Sequence, residues 1–141
     1  MKIGVTGTRS GMNKRQKKEF EQLLSEFLIE CMANGEGEFH HGDCVGVDVE
    51  AAKIAKKLGF KVVCHPPVKD ELRAYHKSDE FREPKSYFAR NRNIVDECDV
   101  LLVIPYQDEW QDQGGTWYTA SYCKKKQKPF TIIWPKRSDD S

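Results

Sequence analysis

Hydrophobic and polar positions fall into alternating blocks along this chain, and the blocks predict strands and helices in turn. Four short blocks rich in apolar or β-branched residues predict strands, at residues 2–6, 60–64, 100–104 and 130–134. A fifth short strand is predicted at residues 38–41, ending at Gly42. The block at 100–104 is apolar at every position, which is typical of a strand that helices cover on both faces.

The blocks between these strands carry helical patterns. Apolar side chains recur at helical spacing from Phe20 to Met32, and further helices are predicted at 47–58, 86–98 and 116–126. Gly35 and Gly59 follow two of the helices, where glycine commonly ends a helix. Alternating strands and helices imply right-handed crossovers. The predicted fold class is α/β, a three-layer Rossmann-like domain with a parallel sheet of about five strands and helices on both faces.

Two segments depart from this alternation. Residues 68–85 are polar and too long for an ordinary connection, which favours a functional flap. Residues 136–141 are charged and predict a frayed tail. A chain of 141 residues buries one sizeable core, so a single domain over residues 1–135 is expected.

Composition narrows the partners and the compartment. The chain has 23 basic and 22 acidic residues, which lacks the strongly basic character of duplex-binding domains and makes nucleic acid a disfavoured partner. Its five cysteines are odd in number and form no C-x-x-C pair, which is typical of free thiols in a reducing compartment. No apolar run approaches the roughly 18 residues of a membrane span. We therefore expect a cytoplasmic protein with no membrane partner.

Two glycine-containing loops at predicted strand ends offer phosphate-binding chemistry. Residues 114–116, Gly-Gly-Thr, directly precede a helix, where free backbone N–H groups and the helix dipole favour an anion. Residues 7–10, Gly-Thr-Arg-Ser, follow the first strand and add an arginine. An ordinary turn explains each loop equally well, with Thr116, Thr8 or Ser10 capping the following helix.

A third loop, G-D-C-V-G-V-D at residues 42–48, places two glycines around a turn and Asp48 near a helix start. Asp48 either interacts with the helix dipole or binds a ribose hydroxyl. None of the three loops matches the G-x-G-x-x-G fingerprint or the G-x-x-x-x-G-K-[ST] P-loop. Neither a standard NAD site nor an ATPase is therefore predicted.

A basic helix supplies the remaining candidates. Arg90 and Arg92 diverge by about 200° on a helix, so one of the two is expected to reach the site, where arginine suits bidentate phosphate binding. The neighbouring Tyr87 could bring an aromatic ring to a base. The alternative is a solvated basic helix face.

Histidine and cysteine are common metal ligands, and five of them lie near predicted strand ends. His40, His41, Cys44, Cys64 and His65 lack the paired spacings of known zinc sites. We therefore expect no metal site, and no cofactor is predicted.

Taken together, the motifs resemble those of a known superfamily. In chain order they are V-T-G-T-R-S, H-G-D-C-V-G-V-D, H-P-P, Y-F-A-R-N-R-N-I-V-D-E-C-D-V-L-L-V-I-P and G-G-T-W-Y-T-A, between Ile3 and Pro135. They resemble the SLOG superfamily of Rossmann-like domains, which includes the LOG-type phosphoribohydrolases and the DprA core domain. The match is closest to small stand-alone bacterial and phage members. The resemblance implies a nucleotide-like ligand, phosphate binding at residues 114–116 and at Thr8 and Arg9, and a homodimer or higher homo-oligomer.

The resemblance also bears on catalysis. LOG-type enzymes cleave the N-glycosidic bond of a nucleoside monophosphate with an arginine and with the glutamate of P-G-G-x-G-T-x-x-E. Arg90 or Arg92 can take the arginine's place, but the glutamate position falls on Thr119, which cannot replace a carboxylate. Arg90 and Asp43 are the candidate catalytic residues. The carboxylates considered as replacements are Asp43, Asp48, Glu109 and Asp112.

The predicted function is binding of a nucleotide or nucleotide derivative of the AMP or ADP-ribose class, as a sensor or a sequestering domain. A LOG-like phosphoribohydrolase and a DprA-like single-stranded DNA binder are the alternatives. The candidate ligand-binding residues are Gly7, Thr8, Arg9, Gly42, Asp43, Val45, Gly46, Asp48, Arg90, Arg92, Gly114, Gly115 and Thr116.

Overall fold

A computed structural model describes residues 1–136, and residues 137–141 of the predicted tail lie outside the described part. Six strands and four helices follow one another within residues 1–136. The strands are β1 (Lys2–Gly7), β2 (Glu38–His41), β3 (Lys61–Cys64), β4 (Glu80–Phe81), β5 (Val100–Ile104) and β6 (Phe130–Ile132). The helices are α1 (Lys14–Asn34), α2 (Val47–Leu58), α3 (Tyr87–Glu97) and α4 (Gly115–Lys125).

All strand pairs are parallel, and the sheet order is β4-β3-β2-β1-β5-β6. The chain builds the sheet outward from β1 to β4 and then returns to place β5 on the other side of β1. The loops that leave β1 and β5 therefore run in opposite directions at this point. A crevice opens between such loops, and it is where open α/β sheets bind their ligands.

Each face of the sheet has its own apolar cluster, which is why both faces are covered. Ile3 and Val5 of β1 pack with α1 and α2, in a cluster that includes Phe20 and Leu24. On β5, Leu101 and Val103 point to the other face and pack with α3 and α4. The predicted three-layer α/β fold with a parallel sheet is confirmed.

The sheet has one strand more than the five predicted. The two-residue strand β4 lies inside the 68–85 segment and pairs with β3 at the sheet edge. Its sequence, Glu80-Phe81, is too short to show an alternating pattern, so only pairing with β3 reveals it.

The first helix begins well before its apolar pattern does. Asn13 is its N-cap: its side chain accepts a hydrogen bond from the Gln16 N–H, and the Gln16 side chain accepts one from the Asn13 N–H. This capping box satisfies two N–H groups that the helix itself leaves free. Thr8 and Ser10 therefore do not cap α1, and their loop is available for another role.

Within residues 1–136, none of the helices is both long enough and apolar enough to cross a lipid bilayer.

Candidate functional site

A cleft of about 820 Å³ lies at the carboxyl ends of β1 and β5, at the point where the strand order reverses. The β1 loop, the start of α4 and the first turn of α3 form its walls. Three cationic residues and one carboxylate line it, which makes it suited to an anion. These charged residues are Arg9, Lys69, Arg90 and Asp48.

The start of α4 opens into this cleft. Gly114 is the N-cap, with φ 105° and ψ 152°, and no side chain caps the helix. The first-turn N–H groups of an α-helix have no partner within the helix. A Cβ atom on Gly115 would meet nothing within 4 Å, so the helix end faces open space. Backbone N–H groups and the positive end of the dipole are thus available to an anion.

The β1 loop lies across the cleft from α4 and is fixed by its own backbone. The Thr8 N–H donates to the Ile104 carbonyl at 3.0 Å, and the Thr8 carbonyl accepts from the Val47 N–H at 3.0 Å. A Cβ on Gly7 would lie 2.6 Å from the Val47 Cβ. Gly7 is therefore required for close packing against α2, and it lines the cleft together with Thr8 and the exposed Arg9.

Asp48 lies in the first turn of α2 and reaches the cleft floor. Its Oδ2 accepts hydrogen bonds from the Gly42 N–H at 3.1 Å and the Cys44 N–H at 3.3 Å. Burial raises the pKa of Asp48 to about 6, although these N–H groups and Arg90 favour its charged form. Asp48 is the one carboxylate among the described residues that line the cleft.

Arg90 and Arg92 separate, as their helical spacing requires. Arg90 lines the cleft and is only 4% exposed; its Nη1 donates to the Gly42 and His65 carbonyls, and its Nε donates to Asn91 Oδ1 at 2.6 Å. Arg92 instead donates to the Tyr118 hydroxyl at 2.7 Å, between α3 and α4. Arg90 therefore braces the ends of β2 and β3 at the cleft wall.

The other loop residues predicted as ligands lie outside the cleft lining. A Cβ on Gly42 would lie 2.6 Å from Arg90 Nη1 and 2.9 Å from Asp48 Oδ2. Gly46, at φ 89°, brings its backbone against the Thr8 and Arg9 carbonyls. The Val45 N–H donates to the Leu72 carbonyl at 2.9 Å. These residues pack the protein against itself.

Asp43, one of the two candidate catalytic residues, has a fully buried side chain that organises the 68–85 segment. Its carboxylate accepts from Arg73 Nε at 2.8 Å, from the His76 N–H at 2.9 Å and from the Tyr75 N–H at 3.2 Å. Its carbonyl accepts from the Ala74 N–H at 2.7 Å. The hydrogen-bonding positions of the carboxylate are therefore taken by residues of the 68–85 segment, and the carboxylate does not line the cleft. The geometry gives no support to its predicted catalytic role.

The position of the LOG glutamate and two of the possible replacement carboxylates also lie away from the cleft lining. Thr119, at the position of the LOG glutamate, is buried, and its hydroxyl donates to the Gly115 carbonyl at 2.8 Å. Glu109 and Asp112 are exposed on the β5–α4 connection. Among the four carboxylates considered, Asp48 alone reaches the cleft.

Aromatic side chains on the cleft wall were only partly foreseen. Phe88 and Tyr106 are 53% and 69% exposed, and both line the cleft beside Tyr87 and the buried Trp117. The Tyr87 hydroxyl is buried without a hydrogen-bond partner among the described residues. Exposed rings at a cleft suit the stacking of a planar group. The sequence indicated Phe88 only through its position directly after Tyr87.

A second cluster of polar side chains lies outside the cleft lining. His40 on β2, His65 after β3 and Glu97 at the end of α3 bring one donor atom each within 4.8 Å of the others. Burial lowers the pKa of His65 to about 3 and also lowers that of His40, so both rings are neutral at neutral pH. The spacing of histidine and cysteine residues does not predict this cluster, because its third member is Glu97, from a helix distant in the chain.

Comparisons with known proteins identify the fold. No protein-family model matches the sequence, and no curated protein is detectably similar to it. The molybdenum cofactor binding protein of the phototrophic bacterium Rippkaea orientalis has a similar structure, with a TM-score of 0.67, 23% identity, and coverage of 93% of this chain and 74% of that one.

Two DNA processing A proteins, called DprA, are also similar. The Helicobacter pylori protein, described with a single-stranded DNA binding mode, gives a TM-score of 0.62 and 22% identity over 100% of this chain and 68% of that chain. The Streptococcus pneumoniae protein gives a TM-score of 0.65 and 18% identity, with coverage of 98% of this chain and 52% of that chain. The resemblance to the SLOG superfamily implied a fold of this kind, and these likenesses, at 18–23% identity, show that fold alone. The expectation that nucleic acid is a disfavoured partner gains no support from them.

Proposed function

We propose that this chain binds a phosphate-bearing nucleotide or nucleotide derivative, of the AMP or ADP-ribose class, in the cleft between the β1 loop and α4. The uncapped start of α4 carries this proposal, because an exposed helix N-terminus is an anion site. Arg9 and Lys69 add positive charge to the same cleft. These features support a phosphate position at residues 114–116, beside the loop at 7–9.

The remaining lining residues suit the rest of such a ligand. Phe88 and Tyr106 offer exposed rings for a base, and Asp48 offers a carboxylate for ribose hydroxyls. A cleft of about 820 Å³ is within the range of small-molecule sites. We assign the chain a sensing or sequestering role, since Thr119 stands where LOG-type enzymes have their glutamate. Its five cysteines, which form no C-x-x-C pair, favour the cytoplasm as its compartment.

Charge at residue 115 tests the proposal. Gly115→Asp adds a carboxylate where a phosphate would bind, and Gly115→Asn is its uncharged match in shape. Both side chains enter open space, and aspartate in a first helical turn favours the fold. We expect calorimetric titration with AMP, ADP and ADP-ribose to show an affinity loss of about tenfold or more in Gly115→Asp relative to Gly115→Asn.

The control ligands are the corresponding nucleosides, which carry no phosphate and should distinguish the two variants little. Equal affinities of both variants for every phosphate-bearing ligand would remove phosphate from this helix end. A short single-stranded oligonucleotide belongs in the same panel, because a structural neighbour is described as binding single-stranded DNA. Its preferential, salt-sensitive binding would favour the DprA-like alternative.

Hydrolysis is the second candidate, and the location of Asp48 favours it. A buried carboxyl with a pKa of about 6 can donate or accept a proton near neutral pH. Release of free base from a nucleoside monophosphate by the pure protein, lost in Asp48→Asn, would make the chain a phosphoribohydrolase. Ligand binding without base release supports the binding role.

A further inference from the structure

The cluster of His40, His65 and Glu97 has the donor arrangement of a metal centre. We propose that His40 Nδ1, His65 Nε2 and Glu97 Oε2 bind one divalent transition-metal ion, for which Zn²⁺ is the probe. The three residues do not line the cleft, so this site is independent of the proposed nucleotide binding.

The three donor atoms already have the separations that an ion requires. His40 Nδ1 lies 2.8 Å from His65 Nε2 and 3.8 Å from Glu97 Oε2, and His65 Nε2 lies 3.1 Å from Glu97 Oε2. Nitrogen and oxygen ligands lie about 2.0–2.2 Å from Zn²⁺, so tetrahedral neighbours are about 3.4 Å apart. The three observed separations bracket that value. An ion at their centre needs only small side-chain adjustments.

Hydrogen bonding fixes the form of His40 that a metal needs. Its Nε2 lies 2.9 Å from Glu38 Oε1, and a carboxylate can only accept, so the ring proton lies on Nε2. The lone pair of Nδ1 therefore points at His65 and Glu97. Metal-binding histidines commonly donate their second ring N–H to a carboxylate in this way.

Without an ion, the N–H at His65 Nε2 donates a shared hydrogen bond to His40 Nδ1 and Glu97 Oε2. A divalent ion takes the place of the Nε2 proton, and His65 then carries its hydrogen on Nδ1. Both imidazoles stay neutral, which is the ligating form. The two histidines are 0% and 2% exposed, whereas the Glu97 side chain is 34% exposed. The ion therefore enters beside Glu97, where water completes its coordination.

The charges around the cluster are compatible with a cation. Arg82 Nε lies 3.0 Å from Glu97 Oε1 and 3.3 Å from Oε2, so it positions the carboxylate and also opposes the ion. Glu80 offsets part of that charge through its pair with Arg82 Nη1 at 3.0 Å, and its other oxygen pairs with Lys61. Glu38 supplies a further carboxylate behind His40.

A neighbouring group, His41, Asp43 and Cys64, also brings three donor atoms together, and it carries no such inference. His41 Nδ1 accepts from the Asp43 N–H at 2.9 Å. The Asp43 carboxylate accepts from Arg73 and two backbone N–H groups. Burial raises the pKa of Cys64 to about 12, so its thiol stays protonated. In this second group, the imidazole and carboxylate donors are thus already hydrogen-bonded, and the thiol carries its proton.

The test is Zn²⁺ binding to the chelator-treated chain of 141 residues, measured by calorimetry and by the shift in Tm. Glu97→Gln keeps the size of the side chain and a hydrogen-bonding oxygen but removes the ligand charge. Glu83→Gln makes the same change at an exposed position. We expect one Zn²⁺ per chain and a higher Tm for the wild type and Glu83→Gln. We expect an affinity at least tenfold weaker for Glu97→Gln.

Substitution with Co²⁺ identifies the ligands by absorption. A ligand-field spectrum without sulfur-to-cobalt charge transfer, weakened in Glu97→Gln, supports the nitrogen and oxygen donor set. A dominant sulfur-to-cobalt band would place the ion on a cysteine and overturn the proposal. Equal Zn²⁺ affinities of Glu97→Gln and wild type would overturn it, as would a lack of saturable binding of Zn²⁺, Co²⁺, Fe²⁺ and Mn²⁺.

Discussion

Two glycine loops of this protein look alike in sequence and differ in what occupies them. Gly46 and Gly114 are both helix N-caps at positive φ, and neither α2 nor α4 has a side-chain cap. At α4 the space beside Gly115 is empty. Before α2, the Gly42 and Cys44 N–H groups donate hydrogen bonds to the Asp48 carboxylate. The carboxylate therefore takes the position that a bound anion would need. One loop is left open for a ligand, and the protein fills the other itself.

The difference explains two uses of glycine. In the α2 loop, glycine lets one part of the protein approach another, because Gly46 lies against the Thr8 and Arg9 carbonyls. In the α4 loop, the missing side chain leaves the backbone N–H groups exposed to the cleft. A glycine-rich loop at a strand end is therefore evidence of a binding site only where the space beside it is empty.

The largest expected effect separates the loops by stability. Gly46→Ala puts a Cβ at a φ of 89° and against backbone carbonyls, and we expect it to destabilise the fold by about 4 kcal/mol. Gly115→Ala should leave stability unchanged or raise it by up to about 1 kcal/mol, since it adds a helix former in open space. Urea unfolding measures both. A Gly46→Ala variant within about 1 kcal/mol of wild type would end the distinction.

The next effect measures how much stability is lost by burying the Asp48 carboxylate in the α2 loop. Burial raises its pKa from the ordinary 3.8 to about 6, so the folded state binds the proton more tightly than the unfolded state. Wild-type stability from this group is therefore lost as the pH rises from about 4 to about 6. Asparagine keeps an acceptor oxygen but does not titrate.

We accordingly expect the free energy of unfolding of Asp48→Asn, relative to that of wild type, to rise by about 3 kcal/mol from roughly pH 4 to pH 7. Urea unfolding at a series of pH values gives this difference. Parallel stability profiles for the two proteins would mean that the Asp48 pKa is the same in the folded and unfolded states.

The smallest effect concerns the open side of the comparison. Tyr87→Phe removes a buried hydroxyl that has no partner among the described residues, so stability should stay the same or rise by up to about 1 kcal/mol. If a ligand in the cleft pairs with that hydroxyl, the variant should bind it about fivefold more weakly. Unfolding and calorimetry give the two values. A stability loss above about 1 kcal/mol would show that the hydroxyl already has a partner.

Much of the fold could be predicted because its signals are local. The predicted bounds of β2, α2 and β5 coincide with the structure, since Gly59 adopts a left-handed conformation directly after α2 and β5 is apolar throughout. The start of α1 depends on the Asn13 and Gln16 side chains, which an apolar pattern does not register. The edge strand β4 exists only through pairing with β3.

The candidate site was predictable in its chemistry and less so in its membership. Of the predicted residues, the cleft brings together Gly7, Thr8, Arg9, Asp48, Arg90 and residues 114–116. Asp43, another strand-end carboxylate, instead holds the 68–85 segment through Arg73. The two aspartates are only five residues apart, Asp43 in the loop before α2 and Asp48 in its first turn, and the path of the backbone decides which of them faces the cleft.

The sequence by itself determined the parallel α/β fold and the edge of the sheet where loops suited to a ligand gather, because periodicity and strand-end glycines are properties of neighbouring residues. Tertiary structure decided which loop stays open, which aspartate reaches the cleft, and that Glu97 meets His40 and His65. The physical reason is that these outcomes depend on atoms distant in the chain. A buried polar group takes whichever partner the packing places within hydrogen-bond reach.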